Sequence, residues 1–310
     1  MKAFVRIQAS HMEVVLQEVA IPVFKDDEVL IQVKAFGVGI HDRYFIPGGM
    51  GFGENPIFPY VIGSEGTGTI INIGSKVHDF HVNDKVIFTT ILQEQGGSWA
   101  EYAVAKQSAL LMLPDTIGFE QGAALPIAGK TALEALWALN LRQGDTLFVS
   151  WASGAIGTLL LQMAKAKGAK IAASASAENQ DYMKILWADM TVDYRDLEWK
   201  NKIREWSQGG VDIALAIQPG TVQDSIEIVK DGWTVITVSW PDQSLPERNI
   251  VIKQFEHSTD IQQLMKQLVS DVAENKIKVI IEKTYSFDHA LTALEKTETR
   301  HARWKLVVVL

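Results

Sequence analysis

The sequence predicts an α/β fold in which a doubly wound parallel sheet is inserted into a β-rich domain. Three observations carry the prediction. Residues 145–176 read as strand, glycine turn, helix and strand, which is one complete βαβ unit. Strand and helix patterns keep alternating from there to about residue 238. Residues 1 to about 122 and the closing stretch Lys305–Leu310 read as strands, so the β-rich part leaves the alternating part and returns after it.

In chain order, Met1–Ile7 reads as an opening strand. Val29–Ala35 and Gly68–Ile73 are strand-like, and Lys85–Phe88 follows a turn at Asn83-Asp84. A glycine- and proline-rich loop spans Pro47–Pro59, and a loop of that length in a compact domain is more often functional than idle. From Phe119 the period becomes helical, with two segments in Glu120–Leu139 separated near Pro126–Gly129. Thr146–Val149 is a short apolar run suited to a strand buried on both faces. A helix runs from about Gly157 to Lys167, Gly168 is placed to stop it, and Lys170–Ser174 is the next strand.

Further helices are expected around Glu178–Trp187, Trp199–Trp206 and Val222–Val229. They alternate with strands at Met190–Asp193, Val211–Ile217 and Thr234–Val238. After Trp240 a polar loop precedes an amphipathic helix over Asp260–Glu274. Its apolar residues Ile261, Leu264, Met265, Leu268 and Val272 recur at three- and four-residue spacing.

The turn Ala152-Ser153-Gly154-Ala155-Ile156-Gly157 carries the first chemistry. It departs from Gly-x-Gly-x-x-Gly only where Ala152 stands for the first glycine. Gly154 lets the backbone approach a pyrophosphate and Gly157 lets helix and strand pack closely. The phosphates would face the free N–H groups and positive end of the helix. Glycine turns also occur in crossovers that bind nothing; the strand–turn–helix–strand setting is what favours a dinucleotide.

The chain has 310 residues, 47% hydrophobic and 21% charged, a composition ordinary for a globular protein. A formal net charge of −8 argues against nucleic acid or an anionic membrane surface as the main partner. There is no cysteine, which removes disulfides, thiol nucleophiles and cysteine-ligated zinc together. No apolar run approaches the roughly 18–20 residues that span a bilayer, and the opening residues lack a signal peptide's apolar core. A cytoplasmic protein is expected. His78 and His81 are three apart but read as solvated loop histidines rather than a metal site.

Seven stretches in order resemble the zinc-free quinone oxidoreductase branch of the medium-chain dehydrogenase/reductase superfamily. They are Ala35–Tyr44, Pro59–Gly68, Val82–Val86, Gly96–Tyr102, Ala123–Ala132, Ala152–Gly157 and His301–Val307. The resemblance covers essentially the whole chain. It implies a GroES-like catalytic domain over 1–122 plus 257–310, a Rossmann dinucleotide-binding domain over 123–256, and commonly a homodimer. Zinc-dependent members place cysteine where Gly39 stands and histidine where Ser64 stands, so no zinc is expected here.

The adenosine end decides the cofactor. NAD-binding folds usually carry an acid at the end of the second strand; here Ala172–Ser176 has none before Glu178. That permits a 2′-phosphate, to which the Ser174 and Ser176 hydroxyls could donate. By the resemblance, Tyr194 lines the adenosine phosphate, with Arg195 adding charge, although the lysine common after the second strand is replaced by Asn179-Gln180. NADPH is expected, with NADH possible.

Thr131 matches a threonine near the nicotinamide ribose. Asp42 and Tyr44 match residues lining a substrate cleft, with Ser64 beside them and His41 as a candidate proton donor. Gly39 replaces the branch's usual asparagine. The predicted reaction is zinc-independent, NADPH-dependent reduction of a quinone or related conjugated carbonyl, with no essential acid–base side chain. Reduction of an alkenal or enoyl double bond is the alternative. A third reading is a redox sensor with little turnover, since Gln218-Pro219-Gly220 stands where relatives often carry a glycine pair after an aspartate.

Overall fold

The computed structural model describes the chain except residues 9, 11, 44–56, 92, 94–95, 239–247, 256–259 and 300–301. The chain divides into two compact units, Met1–Ile127 with Val269–Leu310, and Ala128–Leu268.

The first unit opens with β1 (Lys2–Arg6), β2 (Val14–Glu18), β3 (Glu28–Val38), β4 (Tyr60–Val61) and β5 (Glu65–Ile73). It continues with β6 (Lys85–Thr89), β7 (Tyr102–Lys106), β8 (Leu110–Met112) and α1 (Phe119–Ala123). The chain then enters α2 (Pro126–Leu139), inside which the unit boundary falls.

The second unit is an alternation: β9 (Thr146–Val149), α3 (Ala155–Ala166), β10 (Lys170–Ala175), α4 (Gln180–Ile185), β11 (Met190–Asp193), α5 (Trp199–Trp206) and β12 (Val211–Ala216). Then come α6 (Val222–Ile228), β13 (Val229–Thr237) and β14 (Val251–Gln254). Helix α7 (Ile261–Ala273) carries the chain out, and β15 (Ile281–Ser286), α8 (Ala290–Glu298) and β16 (Lys305–Val309) complete the first unit.

In the second unit six strands form one sheet in the order β11-β10-β9-β12-β13-β14, every pair parallel. The order reverses at β9, where β10 lies on one side and β12 on the other. In open sheets of this kind the ends of the strands at such a reversal form the ligand crevice. Every residue of β12 is buried, as a central parallel strand covered on both faces requires. Phe148 stacks on Trp199 at 5.5 Å in the core of this unit.

In the first unit β16, β3, β5, β6 and β8 pair in that order, with β15 at one end and β7 also on β3; the pairs are antiparallel except β15 with β16. A separate three-stranded sheet runs β2-β1-β4. Trp99 is fully buried, stacking on Phe36 at 5.0 Å and meeting Phe4 edge-on at 5.9 Å.

The structure differs from the sequence reading at three places, each with a local cause. The helix break falls at Ala124-Leu125, not within 126–129, because Pro126 is the first residue of α2, where its missing N–H has no helical acceptor to lose. Gly129 lies inside α2 for a packing reason: a Cβ there would come within 2.7 Å of Leu268 on α7. Residues 251–254, read as polar loop, are strand β14, which among the described residues pairs only with β13 and carries the exposed residues that a sheet edge tolerates. Gly168, with φ of +82°, ends α3 as expected.

Candidate functional site

The turn between β9 and α3 is built from opposite uses of two glycines. A Cβ on Gly157 would meet the backbone of Ala152 at 2.4–2.7 Å, so the helix packs on the turn as closely as glycine allows. A Cβ on Gly154 would find nothing nearer than 3.8 Å, so the space beside it is open to a ligand. Gly154 is the N-cap of α3 and offers no capping side chain. The N–H groups of Ala155, Ile156 and Gly157 therefore have no acceptor within the helix. The first turn holds no acidic residue that would repel an anion.

Ala152 is compatible with the turn because the left-handed residue is its neighbour: Trp151 has φ of +50°. The Ala152 N–H donates to the Ser174 carbonyl at 2.9 Å, and the Trp151 N–H donates to Ser174 Oγ at 3.2 Å. The buried Ser174 thus holds the turn against β10. The indole of Trp151 stacks on Tyr194 at 4.9 Å with the rings 9° apart. The Arg195 guanidinium lies 5.4 Å from the Tyr194 ring centre and donates to its hydroxyl at 3.4 Å.

Ser176 is also buried. Asn179 Nδ2 donates to Ser176 Oγ at 2.9 Å and reaches Ser153 Oγ at 3.5 Å. Asn179 Oδ1 is buried and has no hydrogen-bond partner. Ser153, Gly154, Ala155, Ile156, Gly157, Ser174, Ser176, Tyr194 and Arg195 thus come together at the ends of β9, β10 and β11. Thr131 is half-buried in α2. Sequence reasoning missed Trp151 and gave Asn179 no role, because position 179 was weighed for charge alone.

In the first unit Gly39, His41, Asp42 and Ser64 form a polar cluster around a short 3₁₀ turn, Ile40–Arg43. Asp42 is 1% exposed; it accepts the Gly39 N–H at 2.7 Å and the Ser64 hydroxyl at 2.9 Å. His41 Nε2 lies 3.6 Å from the same carboxylate, and the His41 side chain is 21% exposed. A Cβ on Gly39 would strike the His41 ring at 2.4 Å, so the imidazole occupies the volume a side chain at 39 would need. Tyr44 and residues 47–56 of the Pro47–Pro59 loop lie outside the described residues.

Beside this cluster, buried Glu65 pairs with buried Lys305 and accepts the Ile127 N–H at 2.7 Å. A Cβ on Gly37 would meet the Glu65 carboxylate at 2.6 Å, so β3 packs directly on this ion pair. Among the described residues no group of three histidine, cysteine, aspartate or glutamate side chains could hold a metal ion. Gly39 has no donor atom and the Ser64 hydroxyl is committed to Asp42, so this donor set does not fit zinc. No helix among the described residues is long and apolar enough to cross a membrane.

Comparison with known proteins agrees with this architecture. Residues 25–115 match the family described as alcohol dehydrogenase GroES-like domain, and residues 186–308 match the one described as zinc-binding dehydrogenase. The chain is an oxidoreductase of the medium-chain dehydrogenase/reductase superfamily. It is 30% identical over 225 residues to the quinone oxidoreductase of Homo sapiens, a match spanning 71% of this chain and 67% of that protein. It is 28% identical to the chloroplastic NADPH-dependent alkenal/one oxidoreductase of Arabidopsis thaliana, over 99% of this chain and 79% of that one. The solved quinone oxidoreductase of Coxiella burnetii superimposes with a TM-score of 0.87 at 25% identity, covering 100% of this chain and 99% of that one. Within the superfamily the chain belongs to the quinone oxidoreductase branch.

Proposed function

We propose that this chain reduces quinones or related conjugated carbonyls by hydride transfer from NADPH, without zinc. The observation that carries the cofactor reading is the open approach at Gly154, facing unpaired helical N–H groups and flanked by Tyr194 and Arg195. A pyrophosphate there would take hydrogen bonds from Ala155, Ile156 and Gly157. Arg195 would face the 2′-phosphate, and Thr131 the nicotinamide ribose. Bound nicotinamide supplies the hydride; the chain's part is to align donor and acceptor and to exclude water.

The β-rich part, over 1–122 and 257–310, is assigned the small-molecule acceptor, with His41, Asp42, Tyr44 and Ser64 on the substrate side. The part over 123–256 is assigned the cofactor. Asp42 and Ser64 satisfy each other, so their role is to fix the 3₁₀ turn that presents the partly exposed His41. The reduced oxygen takes its proton from solvent or a nearby side chain. Strand β14 ends its sheet with Val251 44% exposed, which supports a homodimer formed through that edge.

The named activity of the Arabidopsis relative supports a second reading, reduction of the double bond of a 2-alkenal. Following oxidation of NADPH and NADH with benzoquinone, naphthoquinone and a 2-alkenal separates the two, and quinone turnover is the expected result. Tight cofactor binding without oxidation by any of the three would leave a redox sensor as the function.

A further inference from the structure

We propose that His41 donates the proton that completes reduction of the acceptor, and that position 39 is glycine to seat its imidazole. This names an acid where the sequence predicted none. It rests on the reading of the chain as an NADPH-dependent reductase that takes its acceptor on the side of the β-rich unit.

Space is the first observation. An ideal Cβ on Gly39 would fall 2.4 Å from Cε1, 2.7 Å from Nδ1 and 3.3 Å from Nε2 of the His41 ring. The imidazole lies over position 39, in the volume that a side chain there would fill. The φ of Gly39 is outside the left-handed region, so the backbone does not require glycine; the ring does.

Orientation and access are the second and third. The Asp42 carboxylate, 1% exposed and fixed by the Gly39 N–H and the Ser64 hydroxyl, lies 3.6 Å from Nε2. A fixed carboxylate facing one ring nitrogen orients the imidazole, and proton transfer then falls to Nδ1. Nε2 is enclosed while the side chain as a whole is 21% exposed, so the exposure belongs to the rest of His41. The neighbouring polar side chains are engaged with one another: Asp42 with Ser64, and Glu65 with Lys305. Imidazole is the side chain of this cluster suited to giving up a proton near neutral pH.

The step balances. A hydride from bound nicotinamide brings the acceptor two electrons and leaves negative charge on its oxygen. The Nδ1–H bond breaks as an O–H bond forms on that oxygen, and the ring regains a proton from water. One hydride and one proton have been added to the acceptor, and the nicotinamide is oxidised.

The test follows single-turnover oxidation of NADPH by benzoquinone, with NADPH affinity and thermal unfolding measured for each variant. His41→Ala should slow the reaction by about a hundredfold or more, the contribution of a positioned acid. Its NADPH Kd should stay within about twofold of wild type. Added imidazole should enter the space left over Gly39 and speed this variant by at least about tenfold. Gly39→Ala, whose methyl displaces the ring, should be slow as well and gain nothing from imidazole. His41→Gln keeps an N–H donor without a transferable proton and should be as slow as His41→Ala. It is the deciding variant if His41→Ala does not fold.

A His41→Ala rate within about threefold of wild type overturns the assignment. So does a loss that imidazole leaves unchanged, or full activity in His41→Gln. Wild-type chain that oxidises NADPH with neither benzoquinone nor a 2-alkenal overturns the reductase reading instead. A purely structural histidine would not answer to free imidazole, so that rescue is the decisive readout.

Discussion

Two clusters, one in each unit, treat polar groups in opposite ways. Around Asp42 and Glu65 of the β-rich unit they are paired with one another: Asp42 with Ser64 and the Gly39 N–H, Glu65 with Lys305 and the Ile127 N–H. At the α3 turn of the other unit they are left open, as helical N–H groups at Gly154. A paired group holds backbone in place, whereas an open one is available to a ligand. The contrast is what the proposed placement of the cofactor at the α3 turn rests on. Near Gly39, the hydrogen bonds that Asp42 accepts from Ser64 and from the Gly39 N–H hold the 3₁₀ turn in place.

The largest effect should come from breaking a closed pair. Glu65→Gln leaves the Lys305 ammonium buried without a counter-charge and should cost about 3–5 kcal/mol in chemical denaturation. The double change Glu65→Leu with Lys305→Met should recover much of that loss. Equal destabilisation by the single and double variants would show that the pair is not the framework it is taken to be.

The two glycines of the turn sharpen the contrast within a single loop. Gly157→Ala pushes a methyl into the Ala152 backbone and should lose about 3 kcal/mol of stability. Gly154→Val meets open space, so thermal unfolding should stay near wild type. Binding of NADPH should nevertheless fall by about a hundredfold or more, because the side chain occupies the phosphate approach. If the Gly154 variant binds NADPH normally, the phosphate site has been misplaced.

Ser64→Ala should have a smaller effect, removing one buried hydrogen bond to Asp42 at a cost of about 1 kcal/mol. Most turnover should survive, since the hydroxyl serves the turn and not the reaction. A loss of turnover beyond about a hundredfold with unchanged stability would make Ser64 part of the chemistry.

The smallest effect is at the far end of the parallel sheet. Burial pushes the Asp212 carboxyl up, but hydrogen bonds from Lys230 and from Thr146 outweigh it and hold it below the ordinary carboxylate range. A carboxylate lowered in the folded state adds stability above its unfolded pKa of about 4, and that stability is lost as pH falls through the folded value. Urea unfolding between neutral and acid pH should therefore show a shallower acid-side decline in Asp212→Asn than in wild type.

How much was legible in the sequence follows the same division. Thr146–Val149, the Gly154–Gly157 turn and the Gly168 stop were readable because each is a local rule: a doubly buried apolar strand, a close approach, a left-handed helix end. Edge strand β14 was not, because its apolar run, Ile250-Val251-Ile252, is short and lies in a polar stretch, as a strand paired on one side allows. The break before α2 was displaced because proline and glycine both resemble helix stops, whereas here one starts the helix and the other admits α7. Trp151 escaped notice in a turn of small residues because its role depends on Tyr194, 43 positions away.

The Glu65–Lys305 pair joins residues 240 positions apart, and this has a kinetic consequence. Contacts of such separation form late, because loop-closure entropy is lost before they repay it. During synthesis at roughly 5–20 residues per second, the carboxylate of β5 emerges well before its cation on β16. Until then the half-built sheet must hold an uncompensated acid in its interior or remain open around it. The parallel-sheet unit, contiguous between the two, faces no such delay. The unit whose residues begin the chain is thus expected to be the last to close.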